Sequence, residues 1–193
     1  MEGTSVQKLA RVLRVMVIVI FVCNVIALYF VPGLALFRGE IGRLQELTPY
    51  QRFWEVPFRL LMLFVYSWSP EMWAFAEAPA SLALAVFLLV CGVCTAMILW
   101  QAKRVLDTIL KGEPFTLSNA ANMKRAAESC FVISGAALLR LIWGFATYRS
   151  ILPLLTYNAL FVPIFLMAGL LCMVMSALFR QAAELKAEND LTI

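Results

Sequence analysis

Four stretches of the chain are apolar on every side over the length that a helix needs to cross a bilayer. They run from about Val15 to Phe37, Ala80 to Trp100, Ala127 to Tyr148 and Leu152 to Phe179. A crossing takes about 20 mostly apolar residues, enough for roughly 30 Å of hydrocarbon. Apolarity all round, without the polar face of an amphipathic surface helix, marks such segments. The first, second and fourth contain no charged residue, whereas the third contains Glu128 and Arg140.

A fifth apolar run, Leu60 to Trp68, lies between Arg59 and Ser69-Pro70-Glu71. Runs this short are more often interfacial or re-entrant than spanning. Phe53, Trp54, Phe58, Tyr66, Trp68 and Trp73 crowd around it, and aromatic rings favour the headgroup level. Thr48-Pro49-Tyr50-Gln51 fits a helix start, with Thr48 as N-cap, Pro49 at the first position and Gln51 closing a capping box. The pattern predicts a helix over 49–68 that lies in, or dips into, the outer interface. The expected fold is therefore all-α: a four-transmembrane-helix bundle with an extra interfacial or re-entrant helix on the outer side and cytoplasmic helix extensions. It forms a single membrane domain over 1–193, with an outer loop at 38–79, a cytoplasmic loop at 101–126 and a cytoplasmic tail at 180–193.

Composition points the same way. Of 193 residues, 63% are hydrophobic and 15% charged, and the mean hydropathy is +0.85. Soluble domains run at about 45–50% apolar and about 25% charged, so lipid is the expected solvent for much of this surface. Charge then orients the spans. Ten basic residues (Lys8, Arg11, Arg14, Lys103, Arg104, Lys111, Lys124, Arg125, Arg180 and Lys186) fall on one side, against Arg38, Arg43, Arg52, Arg59 and Arg149 on the other. The positive-inside rule assigns the first group, and with it both termini, to the cytoplasm. The first span is longer than a signal-peptide core and no A-x-A-like site follows it, so it is expected to be retained. The net charge of +4 follows from this topology and does not imply direct nucleic-acid binding, because the basic residues are scattered at helix ends.

Two spans continue into amphipathic extensions. After Trp100, Val105, Leu106, Ile109 and Leu110 share one face, Gly112 is a C-cap candidate behind Lys111, and Pro114 forces an extended step at Glu113. Thr116 or Ser118 can cap the next helix. In the tail, Leu178, Phe179, Ala182 and Leu185 form a stripe, with a helix end expected near Asn189. Either the two extensions pack on each other, or their apolar faces and Phe115 receive a soluble partner. A terminal Leu191-x-Ile193 is a weak signal for carboxylate capture.

These residues carry a resemblance. Lys111-Gly112-Glu113-Pro114-Phe115-Thr116, then Asn119 and Lys124-Arg125-Ala126-Ala127, resemble the G-x-P-F-T…N…R-x-A signature of the DUF2975 family of bacterial membrane proteins. The segment from Phe179 to Thr192, with Glu188, Asp190, Leu191 and Thr192, is similar to that family's ending. The resemblance implies a four-span bacterial inner-membrane protein of unknown biochemical activity, whose relatives are often encoded beside a small helix-turn-helix regulator. It implies no catalytic residues. It does place Gly112, Pro114, Phe115, Thr116, Asn119, Glu188, Asp190, Leu191 and Thr192 together as a cytoplasmic motif and partner surface. The 38–79 loop is longer and more aromatic than the resemblance leads one to expect.

Inside the bilayer Arg140 stands out, since a charge there costs at least a few kcal/mol and normally faces the bundle interior or water. One reading is a polar cluster in which Asn24 and Asn158 oxygens accept hydrogen bonds from Arg140, aided by Tyr157 or Thr156. The other is that Arg140 snorkels to the outer headgroups. Ala126, Cys130 and Ser134, at four-residue steps, and Gly92 with Ala96 suit close helix approach, within one chain or in a homodimer. Cys23, Cys91, Cys94, Cys130 and Cys172 all fall in spans. Thiol chemistry needs a stabilised thiolate, so these cysteines, Cys91-x-x-Cys94 included, are expected to serve packing.

Histidine is absent, and no carboxylate pair, phosphate loop or metal-ligand cluster is evident. No enzyme activity, metal or cofactor is expected. The inert spans, the ordered intracellular surface and the family resemblance favour a membrane-embedded regulatory or interaction module with a soluble partner, a helix-turn-helix regulator being the identity that the resemblance implies. The alternative is a small oligomeric transporter or channel with Arg140 in its pathway.

Overall fold

The computed structural model describes residues 5–36, 48–66, 69, 79–149, 154 and 156–190. These form helices α1 (Ser5–Leu36), α2 (Pro49–Tyr66), α3 (Pro79–Leu110), α4 (Leu117–Tyr148) and α5 (Tyr157–Asp190), with no strand among the described residues. Gln7–Gly33, Ser81–Leu110, Leu117–Thr147 and Asn158–Asn189 are long and apolar enough to cross a membrane. All four expected spans are thus found; the second and third lie wholly inside longer helices, and the first runs one residue past the end of α1. The fourth begins later than its expected start at Leu152, since α5 opens at Tyr157.

Helix α2 opens with Gln51 reaching back to Thr48, the return half of the expected capping box. The Thr48 backbone N–H and hydroxyl both donate to Gln51 Oε1, at 3.1 and 2.9 Å. Glu55 and Arg59 pair one turn apart at 3.0 Å. Helices α1, α2 and α5 each contain an internal proline, at Pro32, Pro57 and Pro163. Membrane helices tolerate proline where neighbours or local adjustment re-satisfy the freed carbonyl.

The chain divides into two compact units, one of residues 1–24 with 93–193 and one of residues 25–92. In the second, Gly92 is closely approached by Leu28: a Cβ built at Gly92 would meet a Leu28 methyl at 2.5 Å. In the first unit the apolar face expected on the end of α3 exists, but the start of α1 covers it. Ala10, Val17 and Leu106 form the core of that contact, with Leu99, Ala102, Ile109 and Leu110 packed around it. Arg14 Nε lies 2.7 Å from Asp107 Oδ1 at its edge, as an ion pair without good hydrogen-bond alignment. Mutual packing of the α3 end and the tail is therefore replaced by α1 packing, because α1 starts ten residues before the expected first span and supplies the matching apolar face.

Helices α4 and α5 pair antiparallel in a fixed register. Ser134 Oγ donates to Val162 O at 2.9 Å, and Ser176 Oγ donates to Ala120 O at 2.7 Å. Fourteen residues back along α4 thus match fourteen forward along α5. Ala126, Ala127, Cys130, Ile133, Ser134 and Ala137 on α4 are buried, so the small-residue spacing serves the chain's own packing. Gly169 on α5 lies against the Phe131 ring, which a Cβ there would meet at 2.6 Å.

Candidate functional site: the turn between α3 and α4

The residues that bear the motif form one internally bonded turn. Helix α3 closes with Lys111 and Gly112 donating to carbonyls of α3, and Gly112 takes φ +83, the left-handed conformation glycine adopts without Cβ strain. Glu113 N–H then reaches back to Thr108 O at 3.1 Å. Thr116, in extended conformation at φ −130 and ψ 148, is the N-cap of α4, and its hydroxyl accepts from Asn119 N–H at 3.2 Å. The sequence left Thr116 and Ser118 as alternatives; Thr116 takes the position.

Asn119 locks the turn. Its Nδ2 donates to Thr108 Oγ1 at 2.6 Å and to Pro114 O at 2.8 Å, so one amide ties the last turn of α3 to the loop. The Thr108 hydroxyl proton goes to Val105 O at 2.7 Å, leaving its oxygen free to accept. Because a carbonyl only accepts, the Pro114 contact fixes which end of the amide is nitrogen. Asn119 has no exposed surface. The expectation that it belongs to a partner surface is therefore corrected: two acceptors on opposite sides draw its amide into the turn.

The outward side of the turn is different. Phe115 and Leu117 are 50% and 61% exposed, and Lys111, Gly112, Glu113, Lys124 and Arg125 are exposed while Pro114 is half-buried. The Phe115 ring lies 6.2 Å from that of Phe179 on α5, tilted by 55°. The two motif segments thus meet through these rings. Beyond Phe179, Arg180 pairs with Glu184 at 2.8 Å and Leu185 is 66% exposed. Glu188 is exposed on the last turn of α5. Leu191, Thr192, Trp68 and Trp73 lie outside the described residues, as do the side chains of Asp190, Tyr66 and Tyr157.

The polar residues of the spans are placed as follows. Extending the α4–α5 register sets Arg140 level with Thr156, and Asn158 about 3 Å further along α5 at 1.5 Å per residue. Arg140 and Asn158 are both half-buried. Asn24 Oδ1 is buried and accepts no hydrogen bond among the described residues, so the expected bond from Arg140 to Asn24 is not formed. Gln101 on α3 is 94% buried and its Oε1 also lacks a donor. It lay at the expected membrane boundary, where an amide attracts no notice in sequence.

Three thiols escaped sequence reading as a group. Cys94 on α3 and Cys130 on α4 are buried, and Cys172 on α5 is half-buried. The Cys130 thiol lies near enough to those of Cys172 and Cys94 to interact with both. They lie 36 and 42 residues apart in sequence, so no spacing rule could have joined them. Among the described residues no group of His, Cys, Asp and Glu is arranged to hold a metal ion.

An all-helical chain with four helices of spanning length and no strand among its described residues defines the class. The particular family follows from comparison: residues 41–193 match the family described as protein of unknown function (DUF2975), and the chain belongs to it. Searches of curated proteins and of solved structures return no match.

Proposed function

We propose that the protein is a regulatory or interaction module of the bacterial inner membrane, with both termini in the cytoplasm, whose α3–α4 turn receives a soluble partner. The observation that carries this reading is the contrast within the turn: Asn119 and Thr116 fix it from inside, while Phe115 and Leu117 stand half exposed or more. A pre-ordered loop loses little entropy on binding, and an exposed ring on a turn whose helices also carry exposed Lys111, Lys124 and Arg125 suits a partner with an apolar pocket and acidic groups near it. A small helix-turn-helix regulator is the identity that the family resemblance suggests.

Affinity purification of the full chain in mild detergent tests it. A stoichiometric soluble protein that is retained by the parent chain and lost in Phe115→Ser with Leu117→Ser supports the reading. Its retention by that variant, with the variant still monodisperse, overturns the assigned surface. Labelling of single cysteines introduced at Glu113 and Lys186 in intact cells checks the side. Reaction of either with an impermeant maleimide added from outside would sink the topology.

A further inference from the structure

We propose that the charged end of the α1–α3 seam binds the phosphate headgroup of an anionic phospholipid, through Arg14, Lys103, Arg104 and Trp100. Helices α1 and α3 run antiparallel there, and two contacts seven residues apart on each helix fix their register. Arg14 Nε lies 2.7 Å from Asp107 Oδ1, and the Phe21 ring lies 5.9 Å from that of Trp100. Asp107 also takes Lys103 Nζ at 3.7 Å from its other oxygen, so one carboxylate holds a cation from each helix. Trp100 gathers the next pair. Lys103 Nζ lies 5.2 Å and Arg104 Cζ 6.0 Å from the centre of its ring, both within reach of a cation–π attraction. Three cations thus converge around one carboxylate and one indole. Among the described residues no second carboxylate pairs with them, so the positive charge is in excess.

The depth of the cluster selects a lipid over a soluble anion. Trp100 closes the second expected span, and indole rings favour the boundary between acyl chains and headgroups. Arg104 lies one turn further on, about 6 Å along the axis, where the phosphates begin. In the other direction Met97 and Val93 are exposed, as Trp100 is, and at steps of three and four residues they continue one face of α3 into the span. An acyl chain laid along that face brings its headgroup to Arg104 and Lys103, a combination that a water-borne phosphate cannot use. Asp107 already holds Arg14 and Lys103, so these long side chains lose less freedom when the headgroup arrives.

The test uses the full chain in phosphatidylcholine vesicles, with tryptophan fluorescence quenched by lipids brominated on the acyl chain. Trp100→Phe supplies the background from the other tryptophans, so the difference reports the lipid beside Trp100. At equal mole fraction, brominated phosphatidylglycerol should quench at least about threefold more effectively than brominated phosphatidylcholine, and high salt should reduce the preference. Lys103→Gln with Arg104→Gln should abolish it, and Lys103→Arg with Arg104→Lys should keep it. Arg180→Gln with Lys186→Gln, which removes the same charge from the tail, should leave it unchanged. Equal quenching by the two lipids in the parent chain overturns the proposal whether or not the variants fold. A preference that survives Lys103→Gln with Arg104→Gln, or that falls equally in the tail variant, overturns the assigned residues. Loss of the preference to glycerol phosphate, but not to chloride at the same ionic strength, overturns lipid as the occupant.

Discussion

At its N-terminal end α4 is closed by a threonine cap, a left-handed glycine and an asparagine that bonds both neighbours, whereas at its C-terminal end it is closed by an arginine in the left-handed region. Arg149 takes φ 44 and ψ 36, and its N–H bonds Phe145 O at 3.0 Å. The geometry of the two stops is thus related, but only the first uses a residue suited to it. A side chain at Gly112 would find open space within 4 Å, so glycine serves conformation there and not room. The first turn is specified by side chains that point inward. Among the described residues the second shows a single cap bond, one that any residue's backbone can make, and Arg149 places a positive charge at the helix end. Local structure is therefore over-determined at the motif-bearing end.

The largest effect that would break this comparison is at Asn119. Asn119→Leu removes two donors from Thr108 Oγ1 and Pro114 O and puts an unfitted apolar side chain in their place. A loss of about 2–4 kcal/mol is expected, combining lost bonds with acceptors left buried. Thermal unfolding in detergent, followed by circular dichroism, measures it. A change under about 1 kcal/mol would mean that Thr116 and Gly112 hold the turn without the asparagine.

Much of this was readable from the chain alone, and the division is physical. The four spans follow from apolar length, the α2 start from Thr48 and Gln51, and the α3–α4 turn from Gly112, Pro114 and Thr116, all of them local signals acting over one helical turn. Asn119 was noticed but misplaced, since its role depends on Thr108 eleven residues earlier. The cover supplied by Ala10 and Val17 to Leu106, and the meeting of Cys94, Cys130 and Cys172, depend on how helices far apart in sequence come together. Periodicity identifies an apolar face but not the helix that covers it.

A smaller effect is expected at Gly112. In Gly112→Ala the added methyl meets nothing, so the change isolates the backbone cost of the left-handed region, about 1–2 kcal/mol for an ordinary residue. The same unfolding measurement applies, with Gly112→Asn as a partner variant that tolerates this conformation and should lose less. Equal losses for alanine and asparagine would show that the turn needs a bare backbone for a reason other than φ.

The smallest effect is the one that sharpens the contrast most. Arg149→Gly relieves a left-handed residue that carries a side chain, which favours the variant by about 1–2 kcal/mol. Glycine also gains freedom in the unfolded chain, a cost of about 0.5–1 kcal/mol. Removing a cation from the negative end of α4 costs a further 0.3–1 kcal/mol or so. These terms nearly cancel, and stability should stay within about 0.5 kcal/mol of the parent. Arg149→Asn tolerates the conformation without the glycine entropy cost and should come out equal or slightly higher. If Arg149→Gly instead gains as much as Gly112→Ala loses, the strain at Arg149 is uncompensated. The two ends of α4 would then differ only in which residue occupies the same stop, and the inward-facing bonds of the first turn would add nothing that the second lacks.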